Sequence, residues 1–169
     1  MTRQLAETTG TTVRFADTDG TEAAADPRLR EQLTALSRRR LWQYSIGSGI
    51  RLSFWSENIT TPSREILIEE ETVEITPPGQ QAQQVPGRSE LVATSLLNTL
   101  DHRLSRAQVN EGRLRLTFDN DLHLEVAPHR QWEAWQISSD VGLHIVCTPG
   151  GDLTVWYPTR SDSDIQNST

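Results

Sequence analysis

A chain of 169 residues with 16 arginines, no lysine, 23 acidic residues and one cysteine fits one domain, able to bury about 70% of its unfolded surface without staples. A single cysteine excludes an intramolecular disulfide and points to a reducing compartment. No run approaches the roughly 18 apolar residues of a membrane span, and residues 1–5 lack the apolar stretch of a secretory signal. A cytoplasmic protein is therefore expected, with mean hydropathy -0.53. The charge of -7 is uneven: residues 1–51 hold eight Arg against six acids, residues 52–169 eight against 17. Such an acidic body repels nucleic acid and anionic lipid and attracts basic partners.

Residues 1–25 are rich in Thr, Ala, Gly and Asp without sustained periodicity. They read as a disordered or loosely attached arm, with a short strand around Val13-Arg14-Phe15. Asp26 can cap a helix running to about Arg40, with Pro27 at its first position and Leu29, Leu33 and Leu36 as its apolar stripe. Arg38-Arg39-Arg40 would then complement the dipole in its last turn. From Leu41 the period becomes two. Strands are expected over 41–46 and 50–55, joined by Gly47-Ser48-Gly49, then over 65–68 and 72–75. The apolar phase slips between Ile68 and Val73, which requires a bulge or a turn at Glu69-Glu70-Glu71.

The polar Pro/Gly/Gln segment 76–88 reads as a flexible loop. Ser89 can cap a second helix reaching about His102, burying Val92, Leu96 and Leu100, with Leu97 and Leu104 beside them. Strands follow over 104–109, 113–118, 122–126 and 132–137. Two more flank Pro149-Gly150-Gly151, where Pro-Gly suits the centre of a type II turn. Residues 159–169 read as a disordered tail, leaving 26–158 as the domain. Ile46 to Phe54 resembles Val109 to Phe118 with one residue inserted, so two related β units are expected. The expected fold class is α+β, predominantly antiparallel β-sheet built from two related β units with one or two helices.

The C-terminal half carries Gly112-x-Leu114-x-Leu116-x-Phe118, Trp132-Glu133-Ala134-Trp135 and Val146-Cys147-x-Pro149-Gly150-Gly151-Asp152-Leu153-x-x-Trp156. With these motifs the chain resembles an uncharacterised family of small bacterial proteins without an assigned activity. The likeness spans about Leu41 to Trp156 and is most specific from Gly112 onward. Trp132 stands where the family usually has Tyr. The resemblance implies a bacterial origin and, by analogy with small proteins beside secreted toxin systems, an immunity role.

Strand alternation puts Trp132 and Trp135 on opposite faces, so one belongs in the core and the other outside. Trp55 and Trp156 fall out of phase with the core residues of their strands. Exposed tryptophans mark binding hot spots; the alternative is packing in a second core. The run Glu69-Glu70-Glu71 can receive a basic partner and steer its association, although a run of like charge is commonly just solvated. The candidate partner-binding set is Glu69, Glu70, Glu71, Trp55, Trp132, Trp135 and Trp156.

No catalytic motif is present, and without lysine P-loop and Schiff-base chemistry are excluded. Cys147 alternates with Leu143 and Ile145 and reads as a buried, inert thiol. His123, Glu125 and His129 do not form a convincing metal set, and no cofactor is expected. Arg38-Arg39-Arg40-Leu41-Trp42, the one nucleic-acid-like feature, sits in an acidic chain. The expectation is a non-enzymatic protein-binding module, most specifically an immunity protein that covers the active site of a toxin with a basic cleft. The alternatives are a small-molecule-binding or enzymatic domain with an aromatic cleft between two β halves, and a structural subunit.

Overall fold

The computed structural model describes residues 10–13, 26–55 and 63–157. Most of the expected arm lies outside the described residues, including Arg14 and Phe15 of its expected strand, and so does the expected tail at 159–169. In chain order the elements are β1 (Thr11–Val13), α1 (Pro27–Leu36), β2 (Arg40–Ile46), β3 (Ile50–Trp55), β4 (Arg64–Ile68), β5 (Thr72–Thr76), β6 (Gln83–Pro86) and α2 (Glu90–Leu97). Then come β7 (Leu104–Asn110), β8 (Arg113–Phe118), β9 (His123–Val126), β10 (Trp135–Ser139), β11 (His144–Cys147) and β12 (Leu153–Trp156). One sheet runs β1-β12-β11-β10-β4-β3-β2 and the other β6-β5-β9-β8-β7. Every pairing is antiparallel. The protein is thus an α+β molecule in which antiparallel sheet dominates.

Alternation along the strands builds the core. Ile50, Leu52 and Phe54 of β3 and Leu114, Leu116 and Phe118 of β8 point inward from the two sheets, and their burial merges with that of both helices in one cluster. Arg64 ends the inward row of β4. It is buried and donates from Nη1 to Gln32 Oε1 at 3.2 Å. Burial, with the charge of Arg39 nearby, lowers its pKa.

Several local readings need correction. α1 stops at Leu36: Ser37 is extended and Arg38 left-handed, with φ 79°. The three arginines therefore lie beyond the helix, and Arg40 already belongs to β2. α2 ends at Leu97, which faces solvent instead of the core. Segment 76–88 contains β6, an edge strand laddered on β5 alone, a setting that tolerates Pro86. β10 begins at Trp135, so Trp132 and Glu133 precede the strand.

Two halves of the chain repeat one plan. Asp26 and Ser89 cap the two helices through their side chains, and at the same spacing Arg38 and Asp101 are both left-handed. Their backbone N–H groups reach across reciprocally: Arg38 to the Leu104 carbonyl and Asp101 to the Leu41 carbonyl, both 2.7 Å. Leu41 N–H donates to His102 at 3.0 Å and Leu104 N–H to Arg39 at 2.9 Å. Each hairpin then breaks register at the same place, between Leu41 and Gln43 and between Leu104 and Arg106. A bridge between Arg40 and Arg103 joins the two edges.

The halves also exchange strands. After β4 the chain crosses to the second sheet, where β5 pairs with β9; after β9 it crosses back, and β10 pairs with β4. The phase slip after Ile68 is this first crossover. The two crossovers touch, because the N–H groups of Glu69 and Glu70 both donate to the Ala134 carbonyl, at 2.9 and 3.2 Å.

Candidate functional site

The two crossovers enclose a surface groove of about 680 Å³ lined by Glu69, Glu71, Gln131, Trp132, Glu133 and Pro149. Glu69 and Glu71 come from the first crossover, Gln131 to Glu133 from the second, and Pro149 from the β11–β12 turn. Trp132 is 44% exposed. Its indole stacks on His129, with centroids 3.4 Å apart and planes 8° off parallel. His129 is held in turn: its Nδ1 accepts from the Gln131 N–H at 3.0 Å, and its carbonyl accepts from the Gly150 N–H at 2.8 Å. A rigid aromatic platform costs little side-chain entropy when a partner covers it.

The groove is electrostatically one-sided. Glu69 accepts from Gln136 Nε2 at 3.0 Å. No ion pair reaches Glu69, Glu71 or Glu133 among the described residues. Glu70 turns its carboxylate onto the Glu71 N–H at 3.1 Å and lines a neighbouring cleft with Glu71 and Arg88.

The remaining expected tryptophans divide. Trp156 lies on the same outer sheet face as the Glu69–Gln136 contact. His144 stacks on it at 5.2 Å and donates from Nε2 to Gln136 Oε1 at 3.0 Å, a polar ladder leading back to Glu69. Trp55 is 48% exposed but sits at the far end of β3, where it pairs with Trp42 at 5.7 Å. Since Ile50 at the other end of β3 lies opposite Ile68, Trp55 is roughly 17 Å from the groove. Trp135 is wholly buried, donates from Nε1 to the Gly112 carbonyl at 2.8 Å, and offers no surface to a partner.

Trp135 belongs to a structural knot. Cys147 Sγ donates to the same Gly112 carbonyl at 3.4 Å. Gly112, with φ 75°, approaches Gly151 so closely that a Cβ on it would lie 2.5 Å from the Gly151 Cα. The Gly151 N–H closes on the Thr148 carbonyl at 3.0 Å, with Gly150 at φ 91°. That is the type II geometry expected of Pro149-Gly150. Gly112 and the Pro149-Gly150-Gly151 turn thus weld the β7–β8 turn to the β11–β12 turn. Burial pushes the Cys147 thiol to about 12, which keeps it protonated and a poor nucleophile.

The other candidate features are occupied internally. Glu125 is buried on the outer face of the second sheet and accepts from Arg113 at 2.9 Å and Arg115 at 2.7 Å. Burial alone would raise its pKa, but the hydrogen bonds and charges of the two arginines outweigh that and hold it low. His123 meets Thr117 at 3.2 Å, while His129 stands under Trp132. Among the described residues no cluster of three His, Cys, Asp or Glu is arranged to hold a metal. The basic run is divided as well: Arg39 is buried with Nε on the Ala35 carbonyl at 3.1 Å, and Arg40 binds the Asp101 carbonyl at 2.8 Å.

Gln131, Glu133, His129 and Pro149 were not in the expected set. The motif Trp132-Glu133-Ala134-Trp135 carried the signal, but reading it as strand hid that its first half forms the groove wall.

The chain belongs to DUF6188, a family of unknown function whose model matches residues 32–157. No curated protein and no solved structure matches it. No helix among the described residues is long and apolar enough to cross a membrane.

Proposed function

We propose that the protein is a binding module whose groove between the two crossovers docks onto a basic surface of a partner protein. The observation that carries this reading is the convergence of Glu69, Glu71 and Glu133, none of them ion-paired among the described residues, around the braced, half-exposed Trp132. Carboxylates gathered along one groove are relieved by an incoming cation, and a tryptophan face strengthens the contact when that cation is a guanidinium. Clustered charge of one sign also accelerates encounter with an oppositely charged partner. Trp156, reached through Gln136 and His144, extends the contact across the outer sheet.

The partner class we favour is a bacterial toxin whose basic cleft the groove occludes. This step rests on the analogy between the chain and small immunity proteins. An enzymatic reading has less support: the inter-sheet space is filled by side chains such as Trp135, Phe54 and Phe118, and the one carboxylate buried among the described residues is neutralised by two arginines.

The test is co-expression with the product of the adjacent gene, followed by size-exclusion chromatography and a growth assay. Co-elution with relief of toxicity is expected. Combined Glu69→Arg, Glu71→Arg and Glu133→Arg should abolish the complex, and Trp132→Ala should weaken it by about 2 kcal/mol or more, roughly 30-fold. Association should slow as salt rises. Separate elution with toxicity unrelieved would overturn the toxin reading. A complex insensitive to all four substitutions would move the contact elsewhere.

A further inference from the structure

The repeated halves differ at one flank in a way that points to a second site, independent of the acidic groove. Tyr44 lies on β2, the last strand of the first sheet, and its hydroxyl donates to the Ala93 carbonyl of α2 at 3.3 Å. The ring closes the gap between strand and helix and packs against the core. The spacing that relates Asp26 to Ser89 and Leu41 to Leu104 relates Tyr44 to Ala107 of β7, and relates Arg30 of α1 to Ala93. Where one half places a phenol against a helix, the other therefore has a methyl group. In place of the ring there is a groove of about 430 Å³ between α1 and β7, lined among others by Arg30, Leu33, Arg38, Arg106, Ala107 and Val109.

We propose that this groove binds an aromatic side chain carried by an acidic segment of a partner protein. The floor at Leu33, Ala107 and Val109 is apolar, as a ring requires. Its volume lies within the range of small-ligand pockets. The rim carries three guanidinium groups in a chain that is otherwise strongly acidic. The side chains of Arg38 and Arg106 have no partner among the described residues, so they are available to carboxylates flanking the ring. Beyond Leu104, whose backbone is taken by Arg38 and Arg39, β7 is the outermost strand of its sheet, so an extended segment can lie along its remaining length. Tyr44 against Ala93 supplies the internal template for the ring's position.

The test is titration of the ¹⁵N-labelled full chain with the peptide acetyl-Asp-Glu-Tyr-Glu-Asp-amide, followed by NMR. Shifts should concentrate in α1 and β7, and the peptide with alanine in place of tyrosine should bind at least tenfold more weakly. Ala107→Tyr, which copies the Tyr44 arrangement, should fill the groove and remove binding. Arg106→Glu, on an exposed edge where folding is not at stake, should weaken binding at least tenfold and so tests the site even if Ala107→Tyr fails to fold. Equal binding by the alanine peptide, no response in α1 and β7, or insensitivity to Arg106→Glu would overturn the proposal. So would 4-hydroxyphenylacetate binding as tightly as the peptide, which would make this a small-molecule site.

Discussion

Phe54 and Phe118 hold the same place in the two halves of the chain, and their rings stack across the centre of the sandwich at 6.3 Å, with planes 14° apart. Both are almost wholly buried. Replacing either by alanine should cost about 3–5 kcal/mol through lost transfer energy and a residual cavity. Because each ring loses the same partner, the double variant should cost less than the sum of the two single variants. Urea melts of the four proteins test this; strict additivity would mean that the stack contributes nothing beyond burial.

The knot around Gly112 makes a sharper prediction. Gly112→Ala combines a left-handed backbone with a Cβ driven onto Gly151, and the atoms it meets there are backbone, which cannot move away as a flexible side chain can. A loss of about 2 kcal/mol or more is expected. Trp135→Phe keeps most of the buried ring but leaves the Gly112 carbonyl without its indole donor, at about 1–3 kcal/mol. Thermal melts of both variants decide the point, and wild-type stability in Gly112→Ala would mean that the two turns are not in contact.

Glu125 ties acid stability to the second sheet. Its folded-state pKa lies below the unfolded value of about 4.3. Its contribution is thus fully present above that value and is lost as pH falls through the folded pKa. Glu125→Gln should cost about 1–2 kcal/mol at pH 7, discounted because Arg113 and Arg115 are half exposed. It should also flatten the decline below pH 4. Denaturant midpoints at pH 7 and pH 3 for both proteins measure this.

Cys147 behaves oppositely. Its folded pKa of about 12 lies above the unfolded value. Stability from the protonated thiol is complete below about pH 9 and falls as pH rises further, by up to about 1.4 kcal/mol per pH unit. At neutral pH a thiol reagent such as DTNB should react only after denaturation. Stoichiometric labelling of the native protein within minutes would contradict the buried position.

What was legible in the chain is what short-range physics decides. The alternation of Ile50, Leu52 and Phe54 and of Leu114, Leu116 and Phe118 named the core faces. Asp26 and Ser89 marked both helix starts, and Pro149-Gly150 marked the turn. The repeat was visible at the hairpins, while its extension back to the helix caps was not, since Asp and Ser share a role without sharing a letter. Misreadings arose where distant partners set the outcome. β10 starts at Trp135 because that is where β4 ends at Ile68, so Trp132 and Glu133 became groove wall. The register break after Leu41 turns Trp42 out to 58% exposure, a device invisible in an even alternation. β6 has no apolar rhythm and exists through its backbone ladder with β5.

The strand exchange between halves has a consequence for how the molecule comes apart. Neither half keeps its own fifth strand: β5 completes the sheet of the second half and β10 that of the first. Loss of one half strips an inner neighbour from the other, so the domain should melt as one cooperative unit despite its internal duplication. A cut in the exposed stretch between β5 and β6 would leave two fragments that are each other's missing template. Mixed from denaturant, they should reassemble into the native sandwich, while either alone would present an open sheet edge to any strand that could fill it.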